Sequence, residues 1–288
     1  MDKTIKLYNG DVEIEFKEKQ HSYWLLDKED LTKAGTPRKK RLKGVTSYCG
    51  IIDKSKALLP WAVDTTIEFV KNNLDKLNHM TGHELLEEAR KEADRKKDEA
   101  GDIGTAIHEF ADDHAKGKVP DMPENENVLE GVNNFMEWVN KYKVKFLWTE
   151  RVVYSIELGF VGTADMGIEI DGKKYLLDIK TGNGVYSEVK LQTAAYTMAL
   201  MEETGDDYVG RYVLRISKET EDEYYARMEK KQERYKKTYP IKPFKKFEYL
   251  FLDNDPGDLM KDYEGFKHAV RLDQWKKYAD KEMKQIQD

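Results

Sequence analysis

Apolar and polar residues alternate with period 2 over residues 4–27, and Asn9-Gly10 interrupts the run. That dipeptide is a strong signal for a tight two-strand turn, so the pattern predicts a small β-ribbon. Residues 33–43 carry Arg38, Lys39, Lys40 and Arg41 and read as a basic loop. From 54 to 118 the period lengthens to the helical value. Leu58, Trp61, Ala62, Ile67, Phe69 and Val70, then Leu85, Leu86 and Ala89, are the apolar positions. Within that stretch residues 87–99 are nearly all charged and read as a solvated helix face. A helix over 127–142 presents Leu129, Val132, Phe135, Met136 and Val139. Strands are predicted at 147–156, 161–170 and 174–179, followed by a helix over 187–203. That helix turns Val189, Thr193, Tyr196, Thr197 and Leu200 inward. Strands at 209–216 and 247–252 flank a lysine-rich helical insert over 219–236, and a charged helix with several aromatics begins at 255.

These elements predict an α/β chain of the α+β kind, a mixed sheet flanked by helices with a helical N-terminal subdomain. With no repeat and no linker, one domain over 1–288 fits. It divides into the ribbon and basic loop (1–53), the helical subdomain (54–143), a core sheet with its helix (144–217), and the insert, strand and last helix (218–288).

Composition narrows the classes. A hydrophobic content of 39% with 11% aromatics argues against disorder, despite 36% charged residues. The net charge of -6 gives no global signal for nucleic acid, so any such signal must be local. Cys49 is the single cysteine, which excludes an internal disulfide and a cysteine-ligated zinc or iron–sulfur site within one chain. No apolar run approaches the length of a membrane span, and the first residues lack the pattern of a signal or transit peptide, so the expectation is a cytoplasmic protein.

The chemistry concentrates in residues 159–181. Two strands are joined there by Asp171-Gly172, another tight-turn signal. Asp178 and Lys180 share one strand face while Ile179 points away, and strand pairing can bring Asp165 alongside. Charges on otherwise apolar strands are costly to bury, and a divalent cation is the simplest reason for them. Upstream, Gly104 precedes His108 on a helix after a glycine-containing break, and Glu150 lies on the strand before Asp165. Downstream, Gln192 and Tyr196 stand one helical turn apart.

In this order the motifs resemble the PD-(D/E)XK nuclease superfamily, in its RecB-like and phage-type exonuclease branch. They are Gly-x-x-x-His at Gly104 and His108, Asp165, Asp-x-Lys at Asp178 and Lys180, and Gln-x-x-x-Tyr at Gln192 and Tyr196. Gly44-Val-Thr-Ser47 and Leu58-Leu-Pro-Trp-Ala62 look like the opening of phage exonucleases and of the mitochondrial genome maintenance exonuclease, so the resemblance covers roughly residues 15–216. It implies a restriction-endonuclease-like core and a metal-dependent exonuclease acting on single-stranded DNA or DNA ends in phage or bacterial recombination and repair. A recombination or single-strand-binding protein would be its protein partner. The lone cysteine departs from the iron–sulfur members.

Phosphodiester cleavage needs a hard cation, and carboxylates suit Mg²⁺ or Mn²⁺. Asp165, Asp178, the Ile179 backbone carbonyl and His108 are the expected ligands, the imidazole leaning the set toward Mn²⁺. Lys180 would orient water or offset charge on the phosphate. Gln192 and Tyr196 are implied by the resemblance to align the site and touch the DNA backbone, and Glu150 is an outer carboxylate or a ligand of a second ion. His108 and Asp112 could chelate on their own helix; against that, Asp112, Asp113 and His114 read as solvated surface. Arg38–Lys43 and the cluster Lys230, Lys231, Arg234, Lys236 and Lys237 offer phosphate contacts or ordinary solubilising charge. Tyr23, Trp24, Tyr48 and Trp61 are candidates to stack on bases, with Trp61 better suited to the core. A structure-specific endonuclease and a non-catalytic nucleic-acid-binding module remain open.

Overall fold

Turn residues organise both sheets of the computed structural model, which describes residues 2–236 and 238–287. β1 (Lys3–Leu7) and β2 (Val12–Lys17) pair across a loop in which Tyr8, Asn9 and Gly10 take φ of 52°, 56° and 99°. β3 (Ser22–Leu31) and β4 (Pro37–Arg41) extend this antiparallel sheet in the order β1-β2-β3-β4. The expected basic loop is thus a strand over most of its length. Its run of cations masks any alternation, and charge on an edge strand guards against pairing with other chains.

A short β5 (Lys43–Gly44) leads into α1 (Val45–Cys49), then α2 (Ser55–Asn72). α3 (Gly82–Ala115) begins in a capping box: Thr81 Oγ1 accepts from the Glu84 N–H, and the Glu84 carboxylate accepts from the Thr81 N–H at 2.7 Å. The expected break before His108 does not occur, because α3 runs unbroken through Gly101 and Gly104. Gly104 serves close approach instead. A Cβ there would stand 2.8 Å from Thr181 Oγ1.

After α4 (Glu126–Tyr142) come β6 (Lys145–Tyr154), β7 (Phe160–Ile170) and β8 (Lys173–Lys180). Asp171 and Gly172, with φ of 51° and 75°, close the β7–β8 hairpin in register Ile170 to Lys173. α5 (Glu188–Thr204) crosses to β9 (Tyr208–Ile216), which lies parallel to β8. α6 (Glu221–Tyr235), β10 (Phe247–Phe251) and α7 (Asp258–Gln287) complete the order.

The second sheet runs β10-β9-β8-β7-β5, with β6 also on β7. Val161 pairs with both Gly44 and Tyr154, so β5 and β6 occupy opposite edges of β7. Met166 pairs with both Thr149 and Leu177, so β8 shares the edge that β5 uses. Between those two partners the β7 edge is open over residues 162–165. The mixed sheet flanked by helices is therefore present.

Helices cover both faces. α1, α5 and α7 bury Val45, Tyr48, Leu200 and Phe266 against Val153, Phe160, Ala164 and Leu176. α3 and α4 bury Ile107, Val132, Phe135 and Trp138 against Met166, Leu177, Ile179 and Leu214. Leu176 and Leu177 thus face opposite layers, as a two-sided strand requires. The predicted inward positions of α5 are all buried. α2 differs: Leu58, Trp61 and Ile67 are exposed, as is Leu86 on α3, so Trp61 is not core. Because α2 packs mainly along α3, one side of it faces solvent. The lysine-rich α6 spends its charge on α2, with Lys230 paired to Glu68 and Arg234 to Asp64 at 3.1 Å. Lys237 of that cluster lies outside the described residues. Among the described residues no helix is long and apolar enough to cross a membrane.

One glycine offers a stability test. A Cβ on Gly167 would stand 2.3 Å from the Trp148 indole, a rigid ring that also donates to Tyr208 Oη at 3.0 Å. Gly167→Ala should cost about 1–3 kcal/mol by overpacking, read as a lower urea midpoint with an unchanged slope.

Candidate metal centre

The open stretch of β7 ends at Asp165, where β7 and β8 part. Beyond the Met166–Leu177 pair the backbone ladder stops, and the Asp165 side chain takes over: its Oδ2 accepts the Ile179 N–H at 2.7 Å. α3 places His108 above this fork, with Nδ1 3.8 Å from Asp165 Oδ2. β6 brings Glu150 from the other side. One ligand atom from each of His108, Glu150 and Asp165 lies within 4.8 Å of the others. Bonds of about 2.1 Å to one cation put opposite ligands about 4.2 Å apart, so small side-chain rotations would close the set.

Asp178 and Lys180 stand at the end of β8 on the shared face expected of them. Asp178 is 1% exposed, and the Lys180 ammonium lies 2.7 Å from its Oδ2. That approach is out of line for a hydrogen bond, and neither Asp178 oxygen has an aligned donor among the described residues. The Lys180 ammonium balances the charge of this buried carboxylate, and its remaining lone pairs suit a cation beside it. Burial raises the Asp178 pKa above the usual carboxylate range, with Asp165 adding to the effect and Lys180 opposing it. Burial also opposes charge on Lys180, but Asp178 and Asp165 outweigh it and hold its pKa above the ordinary value. For Glu150, burial together with Asp165 and Asp112 raises the pKa to about 7. More than a third of Glu150 is nevertheless exposed, and water relieves part of that cost.

His108, Glu150, Asp165, Gln192 and Tyr196 open onto one cleft of about 580 Å³, which Arg41 also lines. Gln192 Nε2 donates to Tyr196 Oη at 3.3 Å. The Tyr196 ring fits because residue 162 is glycine: a Cβ there would stand 2.5 Å from it. Burial raises the Tyr196 pKa well above its ordinary value, so the hydroxyl stays protonated. Ile179 contributes its N–H to Asp165 and buries its side chain on the α3–α4 side.

Other expected contacts change. Asp112 is not solvated surface: it accepts from Thr149 Oγ1 and pairs with Lys116 at 2.7 Å. His114 packs edge-on against Phe135 and Phe146. Asp113 pairs with Lys118 at the surface. The spacing of Asp112 one turn after His108 was the available signal for its place. Tyr23 and Tyr48 are core residues, which removes them as stacking platforms. Trp24 lies beneath the Lys17 ammonium. In the first basic patch Arg38 pairs with Asp30, Lys39 with Glu15 and Lys43 with Asp273, whereas Lys40 and Arg41 form no ion pair with a described residue. Cys49 is buried, and its thiol is pushed up to about 12 mainly by burial, so it is not a nucleophile.

Neither a scan of protein-family models nor a search of curated proteins finds a match to the chain.

Proposed function

We propose that the chain is a Mg²⁺- or Mn²⁺-dependent deoxyribonuclease, an exonuclease of the PD-(D/E)XK superfamily acting on single-stranded DNA or DNA ends. The observation that carries this is the meeting of His108, Glu150 and Asp165 at the fork that also holds Asp178 and Lys180. Three carboxylates, an imidazole and an ammonium from four separate elements have little structural use around one fork. They suit a cation and an anionic substrate.

His108, Glu150 and Asp165 would hold the cation, with Asp178 beside them. A bound cation would polarise the phosphate and lower the pKa of water. Lys180 supplies fixed positive charge toward the phosphate oxygens, and Asp178 keeps that ammonium in place. The Tyr196 hydroxyl, steadied by Gln192, offers a donor in the same cleft, and Arg41 on its lining can meet the DNA backbone.

The test uses 5′- and 3′-labelled single-stranded, linear duplex and covalently closed circular DNA with each cation. Hydrolysis of linear substrates, intact circles and silence in a chelator are expected. Cutting of circles would make the protein an endonuclease. Salt-dependent binding without hydrolysis under either cation would leave only a binding module.

Proton linkage gives a second test. Ligating carboxylates must be deprotonated, and Glu150 and Asp178 both titrate higher than usual. Cation affinity should therefore rise with pH through about 7 and level off above it. Calorimetry in buffers of differing ionisation enthalpy should show proton release at pH about 6.5 that fades by about 8.5.

A further inference from the structure

Glu150 sits in a backbone conformation that a glutamate rarely adopts. Its φ is 45°, in the left-handed region, and it lies in the middle of β6 between the pairs Thr149–Met166 and Arg151–Ala164. An L-residue with a long side chain persists there only where its neighbours over-determine it.

The neighbours are anchored to three different elements. Trp148 Nε1 donates to Tyr208 Oη at 3.0 Å, at the start of β9. Thr149 Oγ1 donates to Asp112 on α3, which Lys116 also holds. The Arg151 guanidinium pairs with Glu203 on α5 at 3.1 Å. Thr149 and Arg151 are two residues apart, so a regular strand would put them on one face. Here they reach helices on opposite faces of the sheet. The strand rolls over at Glu150, and β7 does the same beside it: Ala164 packs with α5 and α7, while Met166 packs with α3 and α4. The residues at the two roll-over points are Glu150 and Asp165, both members of the cation cluster.

We infer that Thr149 and Asp112 are positioning residues: their hydrogen bond clamps the β6 roll-over and thereby sets the Glu150 carboxylate against His108 and Asp165. This rests on the metal-dependent reading above. Asp112 does not itself belong to the three-residue cluster. It acts one turn along α3 from His108, so a single helix face supplies one ligand and fixes another.

Mn²⁺ binding, followed by electron paramagnetic resonance on the full chain, tests the clamp. Thr149→Val keeps the side-chain shape and removes the donor, and should weaken Mn²⁺ binding about tenfold, the loss typical of a residue that orients a ligand. Thr149→Ser, which keeps the hydroxyl, should restore affinity to within about twofold of the wild type. In a Glu150→Gln background the same Thr149→Val change should add nothing beyond about twofold, because the clamp acts through that carboxylate. Equal losses in both backgrounds would assign Thr149 a general structural role and overturn the proposal. So would unchanged binding by Thr149→Val in an otherwise wild-type chain that binds Mn²⁺. A wild-type chain that binds no Mn²⁺ would instead remove the metal reading, and the clamp with it.

Discussion

Lys180→Ala is expected to lower the rate of DNA hydrolysis by about 10²–10³-fold, with DNA affinity much less affected, in a single-turnover assay. The ammonium is fixed charge at the place where phosphate oxygens gain negative charge, and mobile water supplies no such fixed charge. Its loss has a second consequence. Asp178, at 1% exposure, would be left as a buried carboxylate without the cation that lies 2.7 Å away. It would then take up a proton and serve poorly toward a metal. Stability and chemistry can be separated with a double variant. Lys180→Ala with Asp178→Asn removes the uncompensated charge and should recover much of the lost melting temperature, while activity stays absent. Recovery of hydrolysis in that double variant would overturn the role given to Lys180.

The largest effect on stability is expected at Arg211. Its side chain is 0% exposed and uses its fork fully. Nε reaches both Asp253 oxygens at 3.1 and 3.0 Å, Nη2 reaches Asp262 at 2.7 Å, and Nη1 donates to the Lys190 carbonyl at 2.9 Å. One residue of β9 therefore ties α5, α7 and the segment after β10 to the sheet. Arg211→Ala would leave two mostly buried carboxylates without their shared guanidinium and should cost about 3–5 kcal/mol by urea denaturation. Arg211→Lys should recover little, because an ammonium cannot span the same partners. A loss below about 1 kcal/mol in Arg211→Ala would mean that the two aspartates find other partners.

Much of the fold was legible in the sequence because its signals are local. Asn9-Gly10 and Asp171-Gly172 mark turns through their own φ preferences, and both turns occur where the dipeptides stand. The α5 stripe of Val189, Thr193, Tyr196, Thr197 and Leu200 needs only a helical period to be read. β4 was hidden because four successive cations erase the alternation that marks a strand. Trp61 was misplaced because periodicity says which residues share a helix face, not whether another element covers it.

The candidate site divides the same way. Strand and helix period showed that Asp178 shares a face with Lys180 and Gln192 with Tyr196, whereas joining them with His108 and Asp165 in one site rested on the family resemblance. Glu150 had only its position on a neighbouring strand, and Asp112 looked like one more charge on a charged helix. What the sequence alone determined was the turns, the helix faces and the short chemical motifs, because backbone preference and period act within a few residues. What only tertiary structure decided was the fork between β7 and β8, the roll-over at Glu150 and the seating of Arg211. The roll-over depends on partners 37 and 60 residues away along the chain, and no local window contains them.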